Sequence, residues 1–277
     1  MPVKVALVTG ASSGIGDATA RHLAQLGYTV YAAARRVDRM SALADAGIRV
    51  EPVDVTDDPS MVTLVEKIIA ATGRIDVLVN NAGYGSYGAL EDVPIAEARR
   101  QFDVNIFGLA RLTQLVLPHM RAQRDGHIVN VSSVGGKIWE PLGSWYHATK
   151  FAVEGLSDSL RAEVAEFGIK VVIIEPGAIR TEWAGISADN LQATSADTPY
   201  AGLAKTVGGA LRTADTSRLT SEPSVVARVI GRAVQSSRPR TRYAVGGGAR
   251  SVLLTQRILT DRGFDRFIKT VYRAASR

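Results

Sequence analysis

The sequence predicts an α/β fold in which one doubly wound parallel sheet of about seven strands carries helices on both faces. Seven short apolar, β-branched runs recur along the 277 residues, and most are separated by longer stretches with helical apolar spacing. The runs are apolar throughout rather than alternating, as in strands that are buried on both faces. Because no repeat or Pro/Ser/Gly-rich linker interrupts the pattern, we interpret residues 1–277 as a single domain.

The predicted strands follow one another with helical stretches between most of them, which predicts right-handed crossovers between parallel neighbours. Ligands bind at the carboxyl ends of the strands in such sheets, so the residues after each strand are the first candidates for a site. The strands are Val5–Val8, Thr29–Ala33, Arg49–Val53, Ile75–Val79, His127–Val131, Lys170–Ile174 and Thr241–Val245.

Two segments depart from this alternation. Residues 183–222 follow the sixth strand, are rich in Ala, Ser, Thr and Asp, and lack strong periodicity. We interpret them as a mobile lid over the ligand-binding edge, with a plain surface insertion as the alternative. Residues 248–277 carry apolar side chains at helical spacing among basic ones, which predicts a C-terminal helical extension. We expect it to pack on the core or on a sister subunit in preference to a membrane surface.

The composition excludes several classes of function. The chain has no cysteine, which rules out disulfides, thiol nucleophiles and cysteine-ligated zinc. No apolar run approaches the ~18 residues of a membrane-spanning helix or resembles a secretory signal, so we expect a cytoplasmic protein. The net charge is +6, but the few aromatic residues are not interleaved with basic ones, so we expect no nucleic-acid partner. We expect no metal, because the histidines His22, His119, His127 and His147 lack metal-ligand spacing.

The segment TGASSGIG, residues 9–16, joins the first strand to the first helix. Gly10 permits a tight turn, Gly14 lets a phosphate approach the backbone, and Gly16 lets the helix pack closely on the sheet. The amides at the helix start and the positive end of its dipole favour an anion. The pattern predicts a pyrophosphate site, with a purely structural turn as the alternative. Its residues are Gly10, Ser12, Ser13, Gly14, Ile15 and Gly16.

Arg35 and Arg36 follow the second strand, where a dinucleotide site holds the adenosine ribose. An acid at this place would bind a ribose hydroxyl and repel a 2′-phosphate, whereas guanidinium groups bind that phosphate. The two arginines therefore predict NADP(H) over NAD(H). The alternative is that both are solvated surface residues.

The segment SWYHATK places Tyr146 and Lys150 four residues apart, on one face of a helix. Ser144 would cap that helix, and the positive helix end and Lys150 would together lower the pKa of Tyr146 from ~10. A phenol of this kind suits general acid–base catalysis. Ser133 ends a strand, where its hydroxyl can hydrogen-bond a substrate carbonyl. Asn105 lies among apolar residues, as a structural brace or as part of a proton relay.

These motifs together resemble the short form of the short-chain dehydrogenase/reductase family, which has a Rossmann-type fold. The matching features occur in family order and with family spacing over residues 1 to about 245. They are TGxxxGxG at Thr9–Gly16, NNAG at Asn80–Gly83, the helical Asn105, Ser133 thirteen positions before Tyr146, YxxxK at Tyr146–Lys150, and PGAIRT at Pro176–Thr181.

The resemblance implies a role for each catalytic candidate. Tyr146 exchanges a proton with the substrate oxygen, and Lys150 lowers the pKa of Tyr146 and binds the nicotinamide ribose. Ser133 positions the carbonyl, and Asn105 supports a water-mediated proton path. Tyr146 and Lys150 therefore also belong to the implied cofactor site. Its remaining members by resemblance are Asp54, Val55, Asn81, Ala82, Gly83, Pro176, Gly177, Ile179 and Thr181.

The resemblance is nearest to the steroid and retinol dehydrogenase branch, which implies a lipophilic alcohol or ketone as substrate. Tyr84, Tyr87, Trp139 and Trp183 would line its pocket or serve as ordinary packing residues. The family also implies a homodimer or homotetramer, often through the helix that carries Tyr146. An NADP(H)-binding sensor or scaffold without turnover is the alternative function.

Overall fold

The computed structural model describes residues 3–217 and 220–275, and it confirms the predicted sheet. Seven parallel strands lie in the order β3-β2-β1-β4-β5-β6-β7. The chain therefore reverses its direction of winding between β1 and β4, which is the place where open parallel sheets bind ligands. The strands are β1 (Val5–Thr9), β2 (Thr29–Ala34), β3 (Arg49–Pro52), β4 (Val77–Asn80), β5 (Gly126–Val131), β6 (Ile169–Pro176) and β7 (Arg242–Val245).

Helices cover both faces of the sheet, because the central strands are apolar on both sides. On one face the strands pack against α1 and α9, and on the other against α3, α5 and α6. The helices are α1 (Gly14–Gln25), α2 (Ser41–Ala44), α3 (Asp58–Thr72), α4 (Ile95–Phe102), α5 (Leu109–Gln123), α6 (Ser144–Val164), α7 (Glu182–Ser195), α8 (Ala201–Thr216), α9 (Pro223–Gln235), α10 (Ala249–Ile258) and α11 (Asp261–Ala275).

A π-helical turn, Asp103–Gly108, joins α4 to α5 and contains Asn105. Such turns widen a helix locally and are frequent at functional sites. At Gly108 an added Cβ would lie 2.3 Å from the carbonyl oxygen of Val55, so this turn passes directly against the loop that follows β3. The close approach holds the Asn105 segment beside the carboxyl edge of the sheet.

The segment predicted as a lid forms two helices, α7 and α8, which pack against each other. Their helical pattern was missed because polar and small residues interrupt it. Leu191, Ala204 and Val207 are buried in one cluster with Tyr87 and Tyr146. The segment therefore borders the ligand-binding edge, and its mobility stays a prediction; residues 218 and 219 lie outside the described residues.

The C-terminal extension forms α10 and α11 and packs on the core. Phe264, Ile268 and Tyr272 are buried in the cluster that contains Tyr87 and Tyr146. Of the two predicted partners of the tail, the core and a sister subunit, this face of α11 contacts the core, and contact with a sister subunit stays a prediction. Residues 276 and 277 lie outside the described residues. None of the described helices combines the length and the apolar composition that a membrane crossing requires.

Two exposed phenylalanines are relevant to the predicted oligomer. Phe151 on α6 is 45% exposed and Phe107 in the π turn is 61% exposed, whereas Val153 is fully buried. The helix that carries Tyr146 therefore offers an apolar outer side in addition to its core side. Assembly through that side stays a prediction.

We expect Phe264→Ala to lower the free energy of unfolding by about 3–5 kcal/mol, because it leaves a cavity in a closed aromatic cluster. The Phe264 side chain is 0% exposed and lies 5.0 Å from the Trp139 ring. Ile258→Ala, at a residue that is 71% exposed, is the matched control and should change stability by about 0.5 kcal/mol or less. Urea denaturation measures both, and equal effects would contradict the packing of α11.

Candidate active site

A cleft of about 830 Å³ runs along the carboxyl edge of the sheet, past the point between β1 and β4 where the winding reverses. The structure brings nearly all predicted site residues to its wall. Gly16 and Asn105 are the two that lie behind the wall. The predicted site residues that line the cleft are Gly10, Ser12, Ser13, Gly14, Ile15, Arg35, Arg36, Asp54, Val55, Asn81, Ala82, Gly83, Ser133, Tyr146, Lys150, Pro176, Gly177, Ile179 and Thr181.

The glycine turn presents bare backbone to the cleft. Gly10 and Gly14 adopt φ values of +64° and +57°, in the left-handed region that favours glycine. An added Cβ at Gly16 would lie 2.3 Å from the carbonyl oxygen of Gly10, so only glycine lets α1 start this close to the turn. Ser13 is the N-cap residue of α1, but its side chain makes no capping hydrogen bond. The amides of the first helical turn therefore remain suited to an anion.

Asn81 fastens the loop after β4 to the glycine turn. Its side-chain amide donates to the carbonyl oxygens of Thr9 (3.0 Å) and Gly10 (3.2 Å). The Thr9 hydroxyl oxygen in turn accepts from the backbone amides of Asn81 (3.0 Å) and Ala82 (3.1 Å). These bonds fix the two loops that form the floor of the cleft.

Arg35 and Arg36 lie at the end of β2, exposed on the cleft wall beside the glycine turn. Arg36 donates to the hydroxyl of Ser12 at 3.4 Å and lies 3.9 Å from a carboxylate oxygen of Glu182. The neighbouring Arg39 makes the closer, two-pronged contact with that carboxylate. Two guanidinium groups therefore border the end of the cleft where the glycine turn lies.

At the other end of the cleft, a hydroxyl and an ammonium group lie beside one phenol. Tyr146 lies in the first turn of α6, and its hydroxyl is hydrogen-bonded to that of Ser133. Ser133 is held in place because its oxygen accepts from the amide of Gly135 at 3.0 Å. The ammonium group of Lys150 donates to the carbonyl oxygen of Val131 at 3.0 Å and lies 6.0 Å from the centre of the Tyr146 ring.

Burial shifts the pKa values of Tyr146 and Lys150 more than the nearby charges do. It raises the pKa of the Tyr146 phenol, and the hydrogen bond from Ser133 opposes this only in part. Burial also lowers the pKa of Lys150 to about 8, against the attraction of Glu154. The expectation that the pKa of Tyr146 would be lowered was therefore wrong, because it considered charge without desolvation. The predicted cap was also wrong: Gly143 is the N-cap residue, and Ser144 is the first residue of α6.

Asn105 braces the wall from behind. Its side-chain amide donates to the carbonyl oxygen of Tyr84 (2.9 Å) and to the hydroxyl of Thr149 (3.0 Å), and its oxygen accepts from the Tyr84 amide (3.1 Å). The Thr149 hydroxyl donates in turn to the carbonyl oxygen of Tyr146 (2.8 Å). Asn105 thus connects the loop after β4 to the helix of Tyr146, while its part in a proton relay stays a prediction.

Three residues that shape the site were not assigned to it from the sequence. Thr149 and His147 lie within SWYHATK, so their closeness to Tyr146 in the sequence could have identified them as site residues. His147 bridges the loop after β5, because its Nδ1 contacts the Gly135 carbonyl oxygen (2.9 Å) and its Nε2 accepts from the Glu140 amide (3.1 Å). Glu140 lines the cleft as a single acid in an apolar stretch, a pattern that carries no recognisable signal.

Aromatic rings line the cleft around Tyr146. The Tyr87 ring lies 5.7 Å and the Trp183 ring 5.0 Å from that of Tyr146, and all three border the cleft. Tyr84 borders it as well, with its hydroxyl donating to Glu97. Trp139 instead packs on α11, which identifies it as a packing residue. The part of the cleft next to the phenol is therefore largely apolar.

The two ends of the cleft differ in chemistry. One end offers backbone amides and guanidinium groups, which suit phosphates. The other offers a phenol, a hydroxyl and an ammonium group in an apolar setting, which suits proton exchange with a bound oxygen. Within residues 3–217 and 220–275, no group of three or more His, Asp or Glu side chains is placed to hold a metal ion.

Known proteins resemble the chain in sequence. The sequence model of a family described as short chain dehydrogenase matches residues 4–191. Oxidoreductase BOA17 of Botryotinia fuckeliana is 38% identical over 250 residues, which are 89% of this chain and 90% of that protein. A 3-ketodihydrosphingosine reductase of Bacteroides thetaiotaomicron is 43% identical over 181 residues, which are 65% of this chain and 66% of that protein.

Solved structures resemble the fold. A short-chain dehydrogenase from Streptomyces avermitilis has a TM-score of 0.80 and 36% identity, over 99% of this chain and 98% of its own. A metagenomic short-chain oxidoreductase in complex with NADP has a TM-score of 0.69 and 30% identity, over 88% of this chain and 97% of its own. A short-chain dehydrogenase/reductase from Burkholderia phymatum in complex with NAD has a TM-score of 0.79 and 27% identity, over 93% of this chain and 92% of its own.

The buried Lys150 predicts a pH-dependent contribution to stability. Its pKa of about 8 in the folded chain lies below the ordinary value of 10.5. At a pH between these two pKa values, Lys150 is protonated in the unfolded chain but not in the folded chain. The free energy of unfolding of the wild type, relative to Lys150→Met, should therefore rise by up to about 3 kcal/mol from neutral pH to about pH 10.

Urea denaturation of both proteins across this pH range measures the difference. Lys205→Met, at an exposed lysine of α8, is the control and should show no such rise. A difference between wild type and Lys150→Met that does not vary with pH would contradict the burial of a proton-releasing ammonium group.

Proposed function

The chain belongs to the short-chain dehydrogenase/reductase family of oxidoreductases, and from this premise we propose that it reversibly reduces a carbonyl group to an alcohol with NADP(H). The observation that carries the proposal is the cluster of Tyr146, Ser133 and Lys150 in the same cleft as the glycine turn. An anion site and a proton-exchange site joined by one cleft suit a dinucleotide whose reactive ring lies beside a carbonyl substrate.

The residues at the glycine turn fit such a cofactor. An added Cβ would lie 2.9 Å from Ala82 at Gly10 and 2.9 Å from Thr181 at Gly14, so the backbone at both positions must stay bare. Bare backbone and the amides of the first turn of α1 are what a pyrophosphate group requires. When bound, the nicotinamide supplies or accepts a hydride.

The residues of the chain supply the proton and hold the substrate oxygen. Because its pKa is raised, Tyr146 remains protonated at neutral pH and can donate a proton to a carbonyl oxygen as that oxygen gains charge. The single O–H of Ser133 is directed at Tyr146 here, and turned to the substrate oxygen it would donate a second hydrogen bond there while its own oxygen stays fixed by the Gly135 amide. The Lys150 ammonium group lies 6.0 Å from the centre of the Tyr146 ring. Its positive charge would stabilise negative charge on the phenol oxygen, which burial has removed from water.

The preference for NADP(H) rests on Arg35 and Arg36. Related structures hold either NADP or NAD, so the fold by itself does not decide between them. In this chain Arg39 makes the close contacts with Glu182, which leaves Arg36 only a distant one at 3.9 Å. Arg35 and Arg36 are thus available to bind the 2′-phosphate beside Ser12.

The apolar surroundings of Tyr146 support a lipophilic substrate. Tyr87 and Trp183 form aromatic walls, and Ile138 and Leu211 line the same part of the cleft. One relative with 43% identity is named for the reduction of a keto compound, which agrees with a ketone as the reacting group. Apolar walls of this kind bury the body of a substrate while a few polar groups orient it.

We expect Tyr146→Phe to lower kcat/KM about 10²–10⁴-fold on any ketone that the wild type reduces, because the variant keeps the ring but lacks the proton donor. Fluorescence titration should show that NADPH affinity is largely retained. Tyr28→Phe removes a phenol hydroxyl outside the cleft, one that contacts Val234, and should leave kcat/KM unchanged. Unchanged turnover in Tyr146→Phe would refute the assignment, and NADPH binding without turnover of any ketone would favour a sensor or scaffold.

The double variant Arg35→Ala/Arg36→Ala should bind NADPH about tenfold or more weakly and NADH with nearly unchanged affinity, since only NADPH carries the 2′-phosphate. Arg111→Ala, which removes an exposed guanidinium that pairs with Asp58 outside the cleft, is the control and should leave the ratio of the two affinities nearly unchanged. Tighter binding of NADH than NADPH by the wild type, or an unchanged ratio in the double variant, would refute the proposed preference.

A further inference from the structure

Glu140 places a negative charge in the apolar end of the cleft. It lines the cleft in the loop after β5, partly buried, and its charge contributes to raising the pKa of Tyr146, although burial contributes more. Within the described part of the chain, no Lys, Arg or His forms an ion pair with it. The other acids that line the cleft lie on other segments and have closer partners, since Asp54 accepts from Thr56, Glu97 accepts from Tyr84 at 2.9 Å and Glu182 pairs with Arg39.

The position of Glu140 is fixed from three directions. Its backbone amide donates to Nε2 of His147 at 3.1 Å, and His147 is itself anchored to the Gly135 carbonyl oxygen. The Tyr87 hydroxyl donates to its Oε2 at 3.4 Å. The Tyr272 phenol, from α11, lies beside the same carboxylate, which contributes to raising the pKa of that phenol, although burial contributes more. The carboxylate is therefore held by the loop, the cleft wall and the C-terminal extension together.

These contacts leave acceptor capacity on a carboxylate that borders the cleft. An ionised carboxylate offers about four acceptor sites, and here two neutral phenols lie beside it, one of them donating at the long distance of 3.4 Å. A charge that is partly removed from water without a cation is costly unless a further donor reaches it. If Glu140 served only to hold the two phenols, a neutral acceptor such as glutamine would do so without this cost.

We propose that Glu140 is a substrate-binding residue, and that the substrates carry a hydrogen-bond-donating group, a hydroxyl or an ammonium, in addition to the carbonyl or alcohol that reacts. The inference rests on the proposed function of the cleft and specifies its substrate class. Tyr87 and Trp183 bury the apolar body of such a molecule, while Glu140 accepts from its donor. The same charge disfavours substrates that carry a carboxylate or phosphate near the reacting group.

Three matched series of probes test the proposal. They are linear methyl ketones of increasing chain length whose far end is a methyl, a hydroxyl or an ammonium group. Binding in the presence of NADPH is followed by quenching of tryptophan fluorescence, since Trp183 borders the cleft, and turnover is followed as kcat/KM. The proteins are the wild type, Glu140→Gln, Glu140→Leu and the control Glu163→Gln, which removes one exposed negative charge from α6.

At the best chain length we expect the wild type to favour a donor-terminated ketone over the methyl-terminated one by about tenfold or more, in Kd and in kcat/KM. Glu140→Leu should abolish this preference while retaining the methyl-terminated probe. Glu140→Gln, which keeps an acceptor without the charge, should lose the preference for ammonium but keep part of any preference for hydroxyl. The size of the two preferences in the wild type identifies which donor the site is built for.

Equal binding of all three series by the wild type would refute the proposal, as would a preference that survives in Glu140→Leu or disappears equally in Glu163→Gln. If Glu140→Leu does not fold, Glu140→Gln decides through the ammonium series. The proposed function fails separately: if no ketone is reduced, it is wrong, whereas the fluorescence titrations still decide whether Glu140 selects donors.

Discussion

The hydrogen bonds between Asn81 and the Thr9–Gly10 backbone are the contacts on which the site depends most. They tie the carboxyl end of β4 to that of β1, the two strands between which the winding of the sheet reverses. Because Gly10, Gly14 and Gly16 have no side chains, the geometry of the turn depends on contacts with its neighbours. Asn81 provides that support from the floor of the cleft, so the same side chain positions the anion-binding amides and leaves the cleft open above them.

At the other end of the cleft, desolvation sets the chemistry. Phe264, Ile268 and Tyr272 of α11 and Leu191 of α7 enclose the cluster that contains Tyr146. Removal of water favours the neutral forms of both Tyr146 and Lys150, which is why the two pKa values shift in opposite directions. The raised pKa keeps the phenol protonated at neutral pH, in a setting in which fixed dipoles act strongly.

The sequence predicted the sheet and most of the cleft wall, because these depend on local pattern. Apolar runs, glycine spacing and residues that follow strands can be recognised in the sequence alone. Gly10, Arg36 and Lys150 could therefore be predicted as residues of the cleft. The raised pKa of Tyr146 was not predictable from the local sequence, since the burial that causes it depends in part on residues distant along the chain, such as Phe264 of α11. Glu140 was missed for the same reason, because its partner Tyr272 belongs to the last helix.

The helix α11 packs behind the part of the cleft wall that contains Tyr87 and Tyr146. Phe264, Ile268 and Tyr272 are buried there, so substitutions at these positions would alter the packing behind Tyr146 at a cost in stability. The residues beside the glycine turn, Ala11 and Ile15, pack in a different cluster and would be left unchanged. The two halves of such a cleft can therefore diverge independently.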